Sequence, residues 1–215
     1  MIKKLSMAVA ASVFAFAGAA QAALVNGDFE AGLSGWTTTG SAVAVGINVD
    51  SGLLAARMIN SPNNNLTTFT GTSIPGTGGG GISQSFTLGS AGTLSFKWDF
   101  QTGEATPAGS FNDAAYVVID GIAILLADTT SGLFVGAPGD GFSEKTGYQL
   151  FSQSIGAGSH TLAFVVTDVG DTIVDSGLFI DSITTPANVP EPGSLALLGL
   201  GLVGVVALRK RKQAA

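Results

Sequence analysis

Between turn-forming residues the chain breaks into nine short runs rich in Val, Ile, Phe and Thr, at 42–49, 53–59, 82–88, 93–100, 115–119, 122–126, 148–154, 160–167 and 178–184. Runs of this length, with no amphipathic helical stretch among them, describe an antiparallel β-sandwich. Several alternate with period two. Ile82, Phe86 and Leu88 share one side of their run, and Leu94, Phe96 and Trp98 one side of the next, so one face meets a core and the other meets water. Asp120-Gly121, between Tyr116-Val117-Val118-Ile119 and Ile122-Ala123-Ile124-Leu125, predicts a hairpin whose two central residues take positive φ. The glycine-rich stretch 76–81 reads as a flexible loop, and no repeat of fixed period is visible.

The two ends have a different character. Met1-Ile2-Lys3-Lys4, an apolar run over 5–17 and the small-x-small site Ala20-Gln21-Ala22 follow the order of a secretory signal peptide. Signal peptidase is therefore expected to cut after Ala22, leaving Ala23 as the first mature residue. At the other end stand Val189-Pro190-Glu191-Pro192, an apolar run over 195–208 and the cations Arg209, Lys210, Arg211 and Lys212. That run has no polar face, as a core helix would have, and two prolines separate it from what precedes. From Gly193 to Leu208 there are 16 residues, about 24 Å of helix at about 1.5 Å per residue, against a hydrocarbon layer of about 30 Å. A short transmembrane helix is expected, with Arg209 and Lys210 snorkelling and the basic cluster held on the cytoplasmic side.

The tail resembles the PEP-CTERM sorting signal: Pro190-Glu191-Pro192, a short Gly- and Leu-rich helix containing Gly199, Gly201 and Gly204, then a terminal basic cluster. The resemblance implies an exosortase as partner, cleavage at or near the motif, transient residence in the inner membrane, and surface display in bacteria that make extracellular polysaccharide. The expected organisation is a signal peptide (1–22), one β-sandwich domain (23–188) and the sorting tail (189–215).

Charge narrows the function of the domain. Of 9 basic residues, only Arg57, Lys97 and Lys145 lie outside the termini, while 14 of the 15 acids do, Glu191 being the exception. Three isolated cations cannot neutralise a row of phosphates, which excludes nucleic acid, and the same balance disfavours anionic lipid. With no cysteine, disulfides, thiolate metal sites and cysteine nucleophiles are excluded, so packing, helped at most by a hard cation, must hold the domain.

The opening Leu24-Val25-Asn26-Gly27-Asp28-Phe29-Glu30 with Gly35-Trp36, and the closing Ser176-Gly177-Leu178-Phe179-Ile180-Asp181-Ser182-Ile183, resemble the first strand with its loop and the last strand of carbohydrate-binding-module-like jelly rolls of the galactose-binding-like type. The resemblance implies a structural calcium where first and last strands meet, with Glu30 and Asp181 as ligands and Asp28 as helper. It also makes Trp36 and Trp98, the only tryptophans, the candidates for stacking on a pyranose, although Trp98 shares a face with Phe96 and is read first as core, and Trp36, in a loop after Gly35, packs under the first strand in similar folds. The single histidine, His160, reads as the start of a strand, and no Gly-x-Ser-x-Gly elbow or phosphate loop occurs.

Three readings remain. A non-catalytic, surface-displayed jelly roll of the extracellular matrix or biofilm is preferred, ahead of a carbohydrate-binding module proper and a small secreted hydrolase. They differ in requiring, respectively, no saturable glycan partner, a shallow groove bearing a solvent-exposed aromatic, and converging acid and base groups with perturbed pKa.

Overall fold

The computed structural model describes residues 23–60, 64–170 and 172–187. The cleavage residues Ala20 and Ala22, the motif Val189-Pro190-Glu191-Pro192, the apolar run and the cations Arg209 to Lys212 lie outside the described residues. Ala23 opens the described chain and is exposed. Among the described residues no helix is long and apolar enough to cross a membrane.

In chain order the elements are β1 (Thr37–Thr39), β2 (Ser41–Val45), β3 (Ala55–Ile59), α1 (Leu66–Thr70), β4 (Gly78–Leu88), β5 (Gly92–Thr102), β6 (Ala114–Ile119), β7 (Ile122–Asp128), β8 (Glu144–Lys145), β9 (Gln149–Ile155), β10 (Gly158–Asp168) and β11 (Ser176–Thr184). They form an all-β antiparallel sandwich. Sheet A runs β1-β4-β10-β6-β7, and sheet B runs β2-β3-β11-β5, with β8 and β9 both pairing with β5. Each of the nine runs in the sequence corresponds to a strand. The Asp120-Gly121 turn joins β6 to β7, with φ of 51° and 79° at its two residues.

Period-two alternation places Ile82, Phe86 and Leu88 of β4, Leu94, Phe96, Trp98 and Phe100 of β5, and Leu162, Phe164 and Val166 of β10 in one core between the sheets. Each fully buried Phe or Leu contributes about 1.5–3 kcal/mol relative to exposure. Gln84 shares this face and is also buried. Its amide accepts from the Val25 N–H at 2.7 Å and donates to the Val25 carbonyl at 3.1 Å, acting like a piece of strand toward the chain's opening segment.

The structure corrects the sequence reading in three places. The glycine-rich stretch expected to be a flexible loop supplies the start of β4, with Gly79, Gly80 and Gly81 opposite Thr167, Val166 and Val165 of β10. A Cβ at Gly79 would run into the Val166 carbonyl, and one at Gly80 would meet the carbonyls of Ile59 and Ser41. Glycine is therefore required because strands of both sheets approach one another there.

The opening 24–30 is not a strand. It folds as turns in which Asn26 and Phe29 have positive φ, of 52° and 57°. The Asn26 side chain accepts from Ala31 N–H and donates to the carbonyls of Gly32 and Ser34, a set of local bonds that competes with strand pairing. The third addition is the short helix α1, which begins at the cap Asn65, whose side chain accepts from Thr68 N–H at 2.8 Å, and ends at Gly71 in the left-handed region.

Candidate functional site

The outer face of sheet B departs most from the simple rule of one dry and one wet face. Alternation with core residues puts Arg57 and Ile59 of β3, Phe179 and Asp181 of β11, and Asp99 and Gln101 of β5 on this side. Phe179, Asp181, Asp99 and Gln101 are nevertheless inaccessible to solvent. Two segments, 46–54 and 136–147, roof the sheet.

The first segment is held by carboxylates. Asp181 Oδ2 accepts the backbone N–H groups of Asp50 at 3.0 Å and Ser51 at 2.9 Å, while Oδ1 accepts that of Ser182 at 2.6 Å. Asp99 Oδ2 accepts from Asn48 Nδ2 and Gln101 Nε2, and Oδ1 from the Thr146 hydroxyl, tying both roof segments to β5. Tyr148 donates its hydroxyl to the Asn48 carbonyl at 2.6 Å. Burial pushes the Asp181 carboxyl above its ordinary value, opposed by the amides it accepts from and reinforced by Asp50. The Tyr148 phenol is raised strongly, first by burial and then by the negative charge of Asp181, Asp99 and Asp50.

The three residues expected to bind calcium occupy one neighbourhood, in different roles. Glu30 Oε1 accepts Leu53 N–H at 2.7 Å and Leu54 N–H at 3.1 Å, at the far end of the segment that Asp181 holds. Asp28 is exposed, and its Oδ1 accepts Glu30 N–H at 3.4 Å. Among the described residues no three Asp, Glu or His side chains gather as a metal-ligand group. Carboxylate oxygens aimed at amides, which a cation would displace, do not fit the expected calcium shell.

Both tryptophans take the core place rather than the stacking one. Trp36 is 7% exposed and Trp98 6%, so neither offers a flat face to a sugar. Trp36 lies with its ring 5.5 Å from Phe29 and 6.2 Å from Phe164, and its Nε1 donates to the Asn26 carbonyl. It anchors the opening turns over the core.

Residues that the sequence did not single out line a groove of about 400 Å³ at the edge of the roof: Arg57, Ile59, Asp140, Phe142, Val174 and Asp175 among them. Arg57 Nε and Asp140 Oδ1, on two of these side chains, are sealed from solvent and have no hydrogen-bond partner. The only advance signal was that Arg57 is one of three cations in a strongly acidic body.

His160 is paired with Asp120, Nδ1 to Oδ2 at 2.8 Å, while Nε2 faces the Gly156 carbonyl at 3.1 Å. With both ring nitrogens engaged, the histidine braces the β6–β7 turn against β10. Asp120 Oδ1 completes that brace by accepting Thr161 N–H at 2.8 Å.

Comparison with known proteins bears first on the tail. Residues 188–212 match the PEP-CTERM protein-sorting motif. The PEP-CTERM match thus covers the motif and basic cluster read in the sequence and leaves the sandwich to be described by itself. No curated protein matches the chain. Solved structures similar to it include TmCBM61 in complex with beta-1,4-galactotriose, at 17% identity over 75% of this chain and 95% of that one, with a TM-score of 0.42. A family 35 carbohydrate-binding module from Clostridium thermocellum is 16% identical over 69% and 93% of the two chains, TM-score 0.36. The K3 adhesin domain of Lys-gingipain from Porphyromonas gingivalis is 16% identical over 75% and 98%, TM-score 0.38. At this similarity none of them assigns a ligand or an activity to this chain.

Proposed function

We propose that this chain is an exported surface protein, sorted through its PEP-CTERM tail, whose β-sandwich body works by display and binding and not by catalysis. The observation that carries the reading is the sorting motif at 188–212, which begins four residues after β11 ends at Thr184. In this reading signal peptidase removes 1–22, the body from Ala23 to Asn188 adopts jelly-roll wiring outside the membrane, and the helix behind Pro190-Glu191-Pro192 spans the inner membrane until an exosortase acts. The extracellular polysaccharide matrix is the expected destination. A non-catalytic role is supported by His160, whose two nitrogens are engaged with Asp120 and Gly156. Mass spectrometry of surface protein from an exosortase-bearing host tests the reading. The expected product starts at Ala23 and lacks residues 195–215, whereas a product that keeps Met1 or the tail removes the sorting claim.

A second reading, a carbohydrate-binding module proper, is favoured by one observation: a groove of about 400 Å³ sets the polar side chains of Arg57, Asp140 and Asp175 beside the apolar Ile59, Phe142 and Val174. A glycan array probed with the full chain separates the two, because matrix display alone needs no saturable glycan.

A further inference from the structure

The chain leaves the sandwich at a defined end. Thr184 of β11 stands opposite Ser95 of β5, and two residues later Pro186 packs on Gly92, its Cγ 2.7 Å from where a Cβ would stand. A side chain at Gly92 would displace the proline, so the exit is seated on β5. Three turns gather at the same end. Leu88 lies opposite Gly158 and Gly92 opposite Ile155, which sets the β4–β5 turn beside the β9–β10 turn. Asp120 bonds His160 Nδ1 and Thr161 N–H, each at 2.8 Å, and so adds the β6–β7 turn.

This end is smooth, uncovered and nearly free of charge. Gly89, Ala91, Gly121, Gly156 and Ala157 are exposed, and no described atom beyond their chain neighbours lies within 4 Å of a Cβ built on Gly121 or Gly156. Ile122, 67% exposed, adds an apolar side chain. The three turns carry a single carboxylate, Asp120, engaged by His160, with Asp28 at the rim where Gly27 accepts Ile183 N–H. By contrast Glu104, Asp113, Asp128, Glu144, Asp168 and Asp175 stand at or beside strand termini of the opposite end.

Tether length decides what meets the turns. From Ala187 to Glu191 is four residues, at most about 14 Å of chain whatever its path. A folded domain of about 100 residues already has a radius of gyration of about 13 Å. A protease whose catalytic groups lie within its own fold therefore cannot take hold of the motif without touching the end from which the tail departs. We propose that the end formed by the 89–91, 120–122 and 156–157 turns is the surface on which the tail-cutting membrane protease seats, small side chains permitting close approach and Ile122 supplying an apolar contact. This rests on the sorting reading and adds to it a part of the body that the enzyme engages besides the tail.

Pulse labelling of the full chain in an exosortase-bearing host, with intact-mass measurement of the product, tests the docking. Ala91→Glu, Ala91→Lys, Ala157→Glu, Ala157→Lys and Ile122→Ser should each slow removal of the tail about tenfold, the scale of one spoiled interface contact. Gly132→Glu, at the opposite end and with no atom within 4 Å of the added Cβ, should not. With a Gly/Ser spacer of about 20 residues inserted after Ala187, spanning about 25 Å on average, parent and face variants should be trimmed alike, because the enzyme then works away from the body. Trimming of the face variants at the parent rate without the spacer overturns the docking. Slowing that persists with the spacer marks damage to folding or export and overturns it as well. If Glu slows trimming while Lys speeds it, the face meets anionic lipid and the protease contact is overturned. A parent chain that is never trimmed removes the sorting reading and this docking together.

Discussion

The Asp181 carboxylate, inaccessible to solvent on β11, accepts the Ser51 amide at 2.9 Å across more than half the sequence, and with it the Asp50 amide. A charge buried against three backbone N–H groups fixes the 46–54 segment over sheet B. Replacing Asp181 by Ala leaves those donors without an acceptor and is expected to cost about 1–3 kcal/mol. Thermal melting of the full chain, with and without calcium, checks it. The loss should be the same in both conditions, and a destabilisation that appears only with calcium would restore the metal reading.

The same residue gives a pH dependence of defined sign. Burial raises the Asp181 carboxyl above its unfolded value of 3.8, so on acidification the native state takes up this proton before the unfolded state does. Stability contributed by the residue therefore increases as pH falls through the raised value and is complete below the unfolded one. Denaturant titrations should show the native protein gaining on Asp181→Asn between neutral pH and about pH 4. The opposite trend would mean that its amide bonds outweigh its burial.

Glu30 and Gly52 form a second clasp on the same segment. Gly52 has φ of 77°, and a Cβ there would collide with Glu30 Oε1, which accepts from Leu53 and Leu54. Gly52→Ala should thus displace Glu30 as well as strain the turn, costing about 1–2 kcal/mol. In the Glu30→Ala background the penalty should shrink, since the colliding carboxylate is gone; a double-mutant cycle measures the difference, and strict additivity would separate the two residues.

Gly80 tests the correction at β4. A flexible loop would accept a side chain there, whereas the close approach of the Ile59 and Ser41 carbonyls forbids one. Gly80→Val is expected to prevent accumulation of protease-resistant protein, while Gly132→Ala, with no atom within 4 Å of the added Cβ, should stay within about 0.5 kcal/mol of the parent.

Strand content was legible because alternation is a local property: Leu94, Phe96 and Trp98 announce their shared face without knowledge of their partners. Gly79 and Gly80 were not legible, because the carbonyls that require them come from residues distant in sequence. The site was hidden for the same reason. Arg57, Asp140 and Asp175 belong to separate stretches that meet only after β11 has paired with β3 and the 136–147 roof has closed over Gly177. Asp113 is a parallel case, accepting from Asn60, Ser176 and Val169 in a buried network that no spacing reveals.

The last prediction concerns the tail, whose motif and charges should act by different physics. Proline fixes φ and lacks an amide donor, so under the proposed function Pro190 and Pro192 would hold Glu191 extended and stop a helix from continuing outward. Replacing Pro190-Glu191-Pro192 by alanines should let the proposed membrane helix propagate outward and remove the proposed extended substrate. An uncleaved, membrane-bound precursor would accumulate. Under the same proposal the cations Arg209, Lys210, Arg211 and Lys212 would act on retention instead, because each costs about 2.5–3.5 kcal/mol to place at the centre of a bilayer. Neutralising all four should release protein with its tail uncut, since a short apolar run alone holds the membrane weakly. Fractionation followed by intact-mass measurement distinguishes the two products, membrane-bound in one case and released in the other. If both variants yielded normally trimmed surface protein, the match at 188–212 would be a sequence likeness without a sorting role in this chain.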